Sequence, residues 1–281
     1  MKMVKMEKHF GKRYKKNSIL VQQRENKMKK ILFAIVVTVM SIPVLAQNSA
    51  GDAANIEPRY LIDTPTAGLL KRGSFSLESN FFQDGGLMFG LYAGALDRLT
   101  FGISYGGVGI IGKSNATMQK LPGVMIKYRL FDESEAMPAI AFGFDSQGKE
   151  TYIDSLERFT IKSRGIFIAA SKNYSFLGFL SFHGGVNWSM EKKDGDKDMD
   201  TFVGIEKSIG QEISFIAEYD FAFNDNHGNA YGKGNGYVNA GIRWALANGL
   251  TLGFDLKNIA KNQKNVTFAN RTLKVEYVRA L

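Results

Sequence analysis

The 281-residue sequence contains no cysteine and only five prolines. The absence of cysteine excludes disulfides, thiolate metal sites, cysteine nucleophiles and a lipid anchor attached to a cysteine. Histidine is scarce as well, since only His183 and His227 occur after residue 46. A histidine-rich metal centre is therefore not expected. The fold must be stabilised by packing or by a membrane rather than by covalent cross-links.

Long apolar runs are rare too, and the one that occurs, residues 31–46, lies near the start of the chain. Two lysines precede it, and it ends in Val44-Leu45-Ala46, which has the small residues of a signal-peptidase site. The run contains Pro43 and is shorter than the roughly 20 residues that a membrane-spanning helix needs. We interpret residues 28–46 as a secretory signal peptide and residues 1–27 as an over-extended translation start.

The positive charge of the chain belongs to this leader. Residues 1–46 hold 11 basic and 2 acidic residues, whereas residues 47–281 hold 25 of each. The net charge of +9 therefore disappears when the leader is removed. It gives no indication of a nucleic-acid partner.

What the remaining sequence does contain is alternation of polar and apolar residues. In the stretch Glu212-Ile-Ser-Phe-Ile-Ala-Glu-Tyr-Asp-Phe, for example, apolar Ile213, Phe215, Tyr219 and Phe221 alternate with mostly polar residues. Such a period of two is typical of a β-strand with one polar and one apolar face. The pattern predicts twelve strands, at residues 73–82, 86–95, 98–107, 120–130, 137–145, 161–172, 178–190, 200–208, 211–222, 235–246, 249–258 and 271–280.

The connections between these strands alternate in length. Those after the second, fourth, sixth, eighth and tenth strands are short, and those after the third, fifth, seventh, ninth and eleventh run to about 9–15 residues. An even strand number with this rhythm is typical of a bacterial outer-membrane barrel. The sequence predicts an all-β fold: a transmembrane antiparallel up-and-down β-barrel of about 12 strands at 73–281, after a periplasmic segment at 47–72. A soluble lipocalin or β-sandwich is the alternative.

If the apolar faces contact lipid, the polar faces line the interior. The charged candidates for this lumen are Glu78, Lys127, Arg129, Glu206, Glu212, Glu218, Asp220, Arg243, Asp255, Lys257, Lys274 and Glu276. Seven acids against five bases predict no strong ion selectivity, and charge pairs across a narrow lumen often close it. Twelve strands lie between the filled eight-stranded and the open 16- to 18-stranded barrels, so a narrow pore is compatible with the pattern and a wide one is not.

Catalytic and metal-binding patterns are weak. Ser181, His183 and Asn187 share one strand face, but neighbours on a face are about 7 Å apart, so they are not coupled by spacing alone. The acidic stretch at 194–200 resembles a calcium loop without its downstream glutamate, and His227 lies in an Asn/Asp-rich turn. We assign no catalytic, cofactor-binding or metal-binding residues.

Three stretches carry a family resemblance: Thr66-Ala-Gly-Leu-Leu-Lys-Arg-Gly-Ser-Phe, Asp97-Arg-Leu-Thr-Phe-Gly-Ile-Ser-Tyr-Gly-Gly and Gly143-Phe-Asp-Ser-Gln-Gly. With them, most of residues 60–280 resembles the YjbH-like bacterial outer-membrane barrel proteins, one branch of which is linked to exopolysaccharide production. The resemblance implies a barrel and supplies no catalytic residues.

The function expected from the sequence is a non-enzymatic role in the cell envelope, structural or as a narrow passage, with a link to exopolysaccharide export. A porin-like diffusion channel is the first alternative, and a lipid-modifying enzyme that couples Ser181 to His183 is the second. The expected partners are outer-membrane lipid, the barrel-assembly machinery, and polysaccharide or envelope proteins, but not nucleic acid. The apolar loop at 108–119 is expected to fold inward as a constriction, or to lie against lipid or a partner.

Overall fold

The computed structural model describes residues 57–112, 115–209, 212–246, 249–264, 266 and 269–280. The predicted signal peptide at 28–46, the preceding residues 1–27 and the stretch 47–56 lie outside this described part. No helix in the described part is long and apolar enough to cross a membrane.

Fifteen β-strands and one short 3-10 turn (Phe223–Asp225) form the described fold. The strands are β1 Ser74–Phe82, β2 Gly86–Leu96, β3 Leu99–Val108, β4 Thr117–Met118, β5 Gly123–Phe131, β6 Ala139–Asp145, β7 Lys149–Ile153, β8 Arg158–Ile161, β9 Gly165–Ser175, β10 Phe179–Trp188, β11 Asp200–Ile209, β12 Ile213–Asp220, β13 Tyr237–Ala245, β14 Leu250–Lys257 and β15 Asn270–Ala280.

Twelve of these strands close into an antiparallel β-barrel. Each barrel strand pairs with the next one along the chain, β3 with β5 and β6 with β9 across the short insertions, and β15 pairs back with β1. Closure leaves no barrel strand with an unpaired edge, which is the condition for a sheet surrounded by hydrocarbon. The prediction of an up-and-down barrel of twelve strands is confirmed, and most strand ends lie within three residues of their predicted positions.

The structure adds three short strands that the sequence pattern does not predict. β4 extends the pairing along the end of β3, and β7 and β8 form a separate hairpin in the loop between β6 and β9. The predicted sixth strand, 161–172, begins only at Gly165, because Ile161 belongs to this hairpin. Strands of two to five residues are too short to show a clear period of two.

The apolar loop after β3 lies along the turn between β1 and β2. The backbone N–H groups of Ile110 and Ile111 both donate to the carbonyl oxygen of Gly85, and Gly109 donates to that of Asp84. Ile111 remains half-exposed. The sequence is compatible with an inward constriction or with contact to lipid or a partner. The described part of this loop gives no support to an inward constriction.

The two faces of the barrel have opposite character. Outward positions carry large exposed apolar side chains, among them Phe89, Phe101, Ile103, Ile126 and Phe215. Inward positions are mostly polar or small, and many are buried: Ser76, Thr100, Lys127, Ser171, His183, Glu218 and Asn239. A water-soluble barrel has the reverse arrangement, so the outer surface suits a hydrocarbon environment.

Residues 57–72, which the sequence assigns to a periplasmic segment ahead of the barrel, require a correction. Residues 57–70 lie inside the barrel, where Leu61, Thr64 and Ala67 are completely buried. The physical reason is that the inward-facing charges need partners, and in a narrow lumen this segment supplies them. We call residues 57–70 the plug segment.

A glycine at the start of β9 is required by close backbone contact. Gly165 has a φ of +59° in a β-bulge opposite Trp188, and an added Cβ would overlap the Trp188 carbonyl oxygen. Gly73 has a similar φ of +70° with open space around it. We therefore expect Gly165→Ala to lower the free energy of unfolding by about 1–3 kcal/mol more than Gly73→Ala. Urea unfolding of both variants in lipid vesicles measures this, and equal losses would contradict it.

Candidate functional site

The plug segment folds back on itself as a small loop within the lumen. The Leu61 N–H donates to the Thr64 carbonyl oxygen (3.0 Å), and the Thr66 N–H donates to that of Arg59 (3.1 Å). Tyr60 and Pro65 form an isolated β-bridge that closes the loop. Most other backbone groups of the segment point at the barrel wall, so the wall must supply their hydrogen-bond partners.

Glu218 on β12 binds one side of this loop. Its carboxylate accepts hydrogen bonds from the backbone N–H groups of Ile62 (3.0 Å), Asp63 (2.9 Å) and Thr64 (3.0 Å), and from the Thr64 hydroxyl (2.7 Å). The Asn239 amide also donates to it at 2.8 Å. Hydrogen bonds to an ionised acceptor are stronger than neutral ones. One carboxylate therefore orients three consecutive backbone amides.

Lys127 on β5 has the complementary role. Its completely buried ammonium donates to the carbonyl oxygens of Arg59 (2.7 Å), Thr66 (3.1 Å) and Gly68 (3.2 Å). No acidic side chain forms an ion pair with it among the described residues. A buried cation requires compensation, and here the carbonyl groups of the plug segment provide it.

Charge pairs join the plug segment to the wall at three further places. Arg59 pairs with Glu78 and, at 2.7 Å, with Glu276. Asp63 pairs with Lys257 at 2.8 Å. Glu57 pairs with Arg129, which also donates to the Ala67 carbonyl oxygen. Arg243 adds a hydrogen bond to the Leu61 carbonyl oxygen at 2.8 Å.

The twelve charged residues predicted for the lumen fall into three groups. Seven contact the plug segment: Glu78, Lys127, Arg129, Glu218, Arg243, Lys257 and Glu276. Four are inward-facing and contact other wall or loop residues: Glu206, Asp220, Asp255 and Lys274. Glu212 differs from the prediction. It is exposed in the turn before β12, because that strand begins at Ile213.

Sequence reasoning missed the charges that enter the lumen from outside the strands. Glu57, Arg59 and Asp63 belong to the plug segment, and Arg164 enters from the loop before β9. Arg164 pairs with Asp220 at 2.7 Å and donates to the Asp63 carbonyl oxygen. The three plug residues lie in no alternating stretch, and Arg164 falls within the predicted strand 161–172 but precedes the observed start of β9 at Gly165. The sequence signal that was available is the presence of charges of both signs in a short stretch directly before the first strand.

Two cavities remain on either side of the plug segment. The larger, about 340 Å3, extends toward the short-turn end, where Asp132 and Glu133 line it. The smaller, about 50 Å3, lies in the long-loop half of the lumen and is lined by Lys149, Lys257 and Lys274 among others. The plug segment contributes residues to both. It therefore separates the space at the two ends of the barrel.

The three residues considered for catalysis have separate partners. The Ser181 hydroxyl donates to Asn173 Oδ1 (2.5 Å), and His183 Nδ1 is bonded to the Ser171 hydroxyl (2.8 Å). The Asn187 side chain is buried and has no hydrogen-bond partner among the described residues. No hydrogen bond joins Ser181 to His183 in the described part of the chain, so the arrangement needed for a serine nucleophile with a histidine base is not formed.

The long loops at one end of the barrel meet around buried charges. Arg158 pairs with Asp194 (2.5 Å) and Asp225 (2.7 Å), and Lys162 pairs with Asp194 (2.8 Å). The acidic stretch at 194–200 and the turn that contains His227 are separate in the sequence but lie close together here. Ligand atoms of Asp196, Asp198 and His227 lie within 4.8 Å of one another. However, Asp196 already accepts the N–H groups of Asn226 and His227, so this contact joins two loops.

Comparison with known proteins gives structural likeness only. No family model matches the sequence, and no curated protein matches it. Among solved structures, the KdgM porin has a TM-score of 0.48 at 11% identity, over 73% of this chain and 98% of that one. The NanC porin has 0.42 at 8% (74% and 99%), and Omp33 of Acinetobacter baumannii has 0.38 at 9% (74% and 97%). With all three TM-scores below 0.5, the fold rests on the strand pairing of this chain itself.

The three amides bound by Glu218 provide a direct test of this contact. Glu218→Gln removes the charge and replaces one acceptor oxygen by a donor. We expect the amides of Ile62, Asp63 and Thr64 to exchange with solvent about 10- to 100-fold faster, as loss of a charged acceptor predicts. Hydrogen-exchange mass spectrometry measures this, with Glu212→Gln as the exposed control. Unchanged exchange in Glu218→Gln would contradict the assignment.

The carboxyl group of Glu191, in the long loop between β10 and β11, predicts a pH dependence of the stability. Burial raises the pKa of Glu191 to about 7, although the N–H groups of Phe159 and Ser163 donate to it. The folded protein therefore holds this proton more tightly than the unfolded chain does. The resulting stability is fully present below about pH 4.5 and is lost as the pH rises through 7.

Glu191→Gln removes this titration. We expect the melting temperature of this variant to rise relative to that of the unsubstituted protein between about pH 4.5 and 7. Thermal unfolding across this range measures the difference. Glu157→Gln, at an exposed position in the same loop region, is the control and should show no such trend. A constant difference for Glu191→Gln would contradict the prediction.

Proposed function

We propose that this chain is a bacterial outer-membrane β-barrel, exported by the signal peptide at 28–46. The outward-facing apolar side chains support this location, because an exposed surface of this kind is unfavourable in water. Closure of the barrel supports it too, since every strand finds both neighbours without help from solvent. Its partners in this proposal are outer-membrane lipid and the barrel-assembly machinery.

Within the membrane, we propose a non-enzymatic role as a narrow passage that the plug segment closes. The observation that carries this proposal is the binding of residues 59–68 by Glu218 and Lys127 through backbone groups. Behind the plug segment, the wall is polar, as in a water-filled lumen. Removing the segment from its position would leave a continuous polar interior of twelve-strand width.

A structural role is the second candidate. Ion pairs tie the plug segment to strands on different sides of the barrel, from Arg129 on β5 to Lys257 on β14, and a permanently filled lumen would make the barrel rigid. The link to exopolysaccharide rests on the resemblance to YjbH-like proteins and stays a proposal. The third candidate, a lipid-modifying enzyme, loses its support because Ser181 and His183 bind other partners.

Conductance in planar bilayers distinguishes the first two candidates. We expect the protein without substitutions to be silent or nearly so. The double variant Lys127→Met with Glu218→Gln removes the two side chains that each bind three backbone groups of the plug segment. We expect it to show reproducible conductance steps. Glu212→Gln, outside the lumen, is the control and should stay silent, and heat-modifiable gel mobility verifies that each variant is folded.

Two outcomes would contradict the proposal that the barrel forms a narrow passage. If the unsubstituted protein conducts as well as the double variant, the plug segment does not close the lumen. If the double variant is folded and silent while its residues 62–64 exchange rapidly with solvent, the plug segment has been released without opening a path. That second result would favour the structural role.

A further inference from the structure

The cavity of about 340 Å3 beside the plug segment contains polar groups that the plug segment does not use. Its size lies at the lower end of the range for small-molecule sites. Two neighbouring strands supply the groups that matter here, His183 on β10 and Glu206 on β11. Each has one hydrogen-bond partner and capacity for a further one.

His183 offers a donor. It is only 8% exposed, and its Nε2 has no hydrogen-bond partner in the described part of the chain. The Ser171 hydroxyl oxygen accepts the Ala67 N–H (2.8 Å) and lies 2.8 Å from His183 Nδ1. With the hydroxyl hydrogen directed at Nδ1, the imidazole hydrogen lies on Nε2. A buried N–H without an acceptor is unfavourable, so an oxygen atom that reaches Nε2 when the ring turns toward the cavity would stabilise it.

Glu206 offers a negative charge. The Ser214 hydroxyl donates to it at 2.7 Å, and no basic side chain forms an ion pair with it among the described residues. The other carboxylates of the cavity differ in this respect. Glu57 pairs with Arg129, Asp132 with Arg98, and Glu133 with Lys172 at 3.6 Å. Glu206 is thus the carboxylate available to a cation.

Strand register places these two groups within reach of one molecule. Glu206 lies directly opposite Ser181, and His183 is two residues beyond Ser181 on the same face. Diagonal neighbours of this kind are about 7–8 Å apart, and their Cβ atoms are somewhat closer. A molecule that spans this distance with an ammonium group at one end and an oxygen acceptor at the other satisfies both. A small polyhydroxylated amine has this composition.

We propose that this cavity binds a small protonated amine with hydroxyl groups, its ammonium at Glu206 and an oxygen at His183 Nε2. Four acidic side chains and one basic side chain, Arg129, line the cavity, which favours cations over anions, although Arg98 and Lys172 offset part of the charge of Asp132 and Glu133. The cavity is also bordered by Pro58, Thr66 and Gly68 of the plug segment, so the closed barrel is the form that binds. This site does not require the barrel to conduct.

Isothermal titration of the refolded chain in detergent micelles tests the site with three probes of one size that differ in charge. Near neutral pH, glucosamine is largely the protonated amine, glucose is neutral, and gluconate is an anion. We expect glucosamine to bind at least about tenfold more tightly than glucose, and gluconate not to bind. Equal affinities for glucosamine and glucose, or no heat with glucosamine from a folded chain, would overturn the proposal.

Variants assign the two contacts. Glu206→Gln should weaken glucosamine about tenfold or more and leave glucose unchanged, because it removes only the charge. His183→Phe should weaken glucosamine and glucose alike, because it removes the donor and keeps a ring. Glu212→Gln is the control and should bind like the unsubstituted protein. Loss of the preference for glucosamine in His183→Phe but not in Glu206→Gln would overturn the assignment of the ammonium to Glu206.

Discussion

The interior of this barrel depends on buried charges that bind backbone groups. Lys127 is completely buried and compensated by three carbonyl oxygens, and Glu218 accepts three amide hydrogens. Both residues belong to the wall, and both kinds of partner belong to residues 59–68. Without the plug segment, each charge would need water in its place. The position of the plug segment and the burial of these two side chains therefore depend on each other.

This way of binding does not require particular side chains in the plug segment. A backbone amide or carbonyl group is offered by almost any residue, so most substitutions that keep the loop conformation would preserve these contacts. Exceptions are positions where space is missing. Gly68 is one of them, because a Cβ there would overlap the Pro58 carbonyl oxygen. The tight geometry of the plug segment is imposed by close packing as well as by hydrogen bonds.

The barrel could be predicted from the sequence because its strands are long enough to show their period. Ile213 to Asp220, for instance, alternates in polarity except at the inward-facing Ile216, with Phe215 outward and Glu218 inward. The same parity placed Lys127, Arg129 and Glu276 on the inner face. The plug segment could not be predicted in this way, because residues 57–70 form no strand and their contacts reach residues as distant as Glu276. Periodicity reports which face a residue occupies, but it does not report what fills the space enclosed by those faces. The pairing of His183 with Ser171 was missed for a related reason, since it depends on the register between β9 and β10.

The strand pair that closes the cylinder has an unusual feature. Glu78 on β1 and Glu276 on β15 lie directly opposite each other, and like charges in this position repel. Arg59 contacts both carboxylates, and Lys274 approaches both at 3.4 Å. The first and last strands of the barrel thus share a cation supplied by the plug segment. A cylinder closed without this segment would keep the repulsion between the two carboxylates with less compensation, so the filled barrel is the more stable closed form.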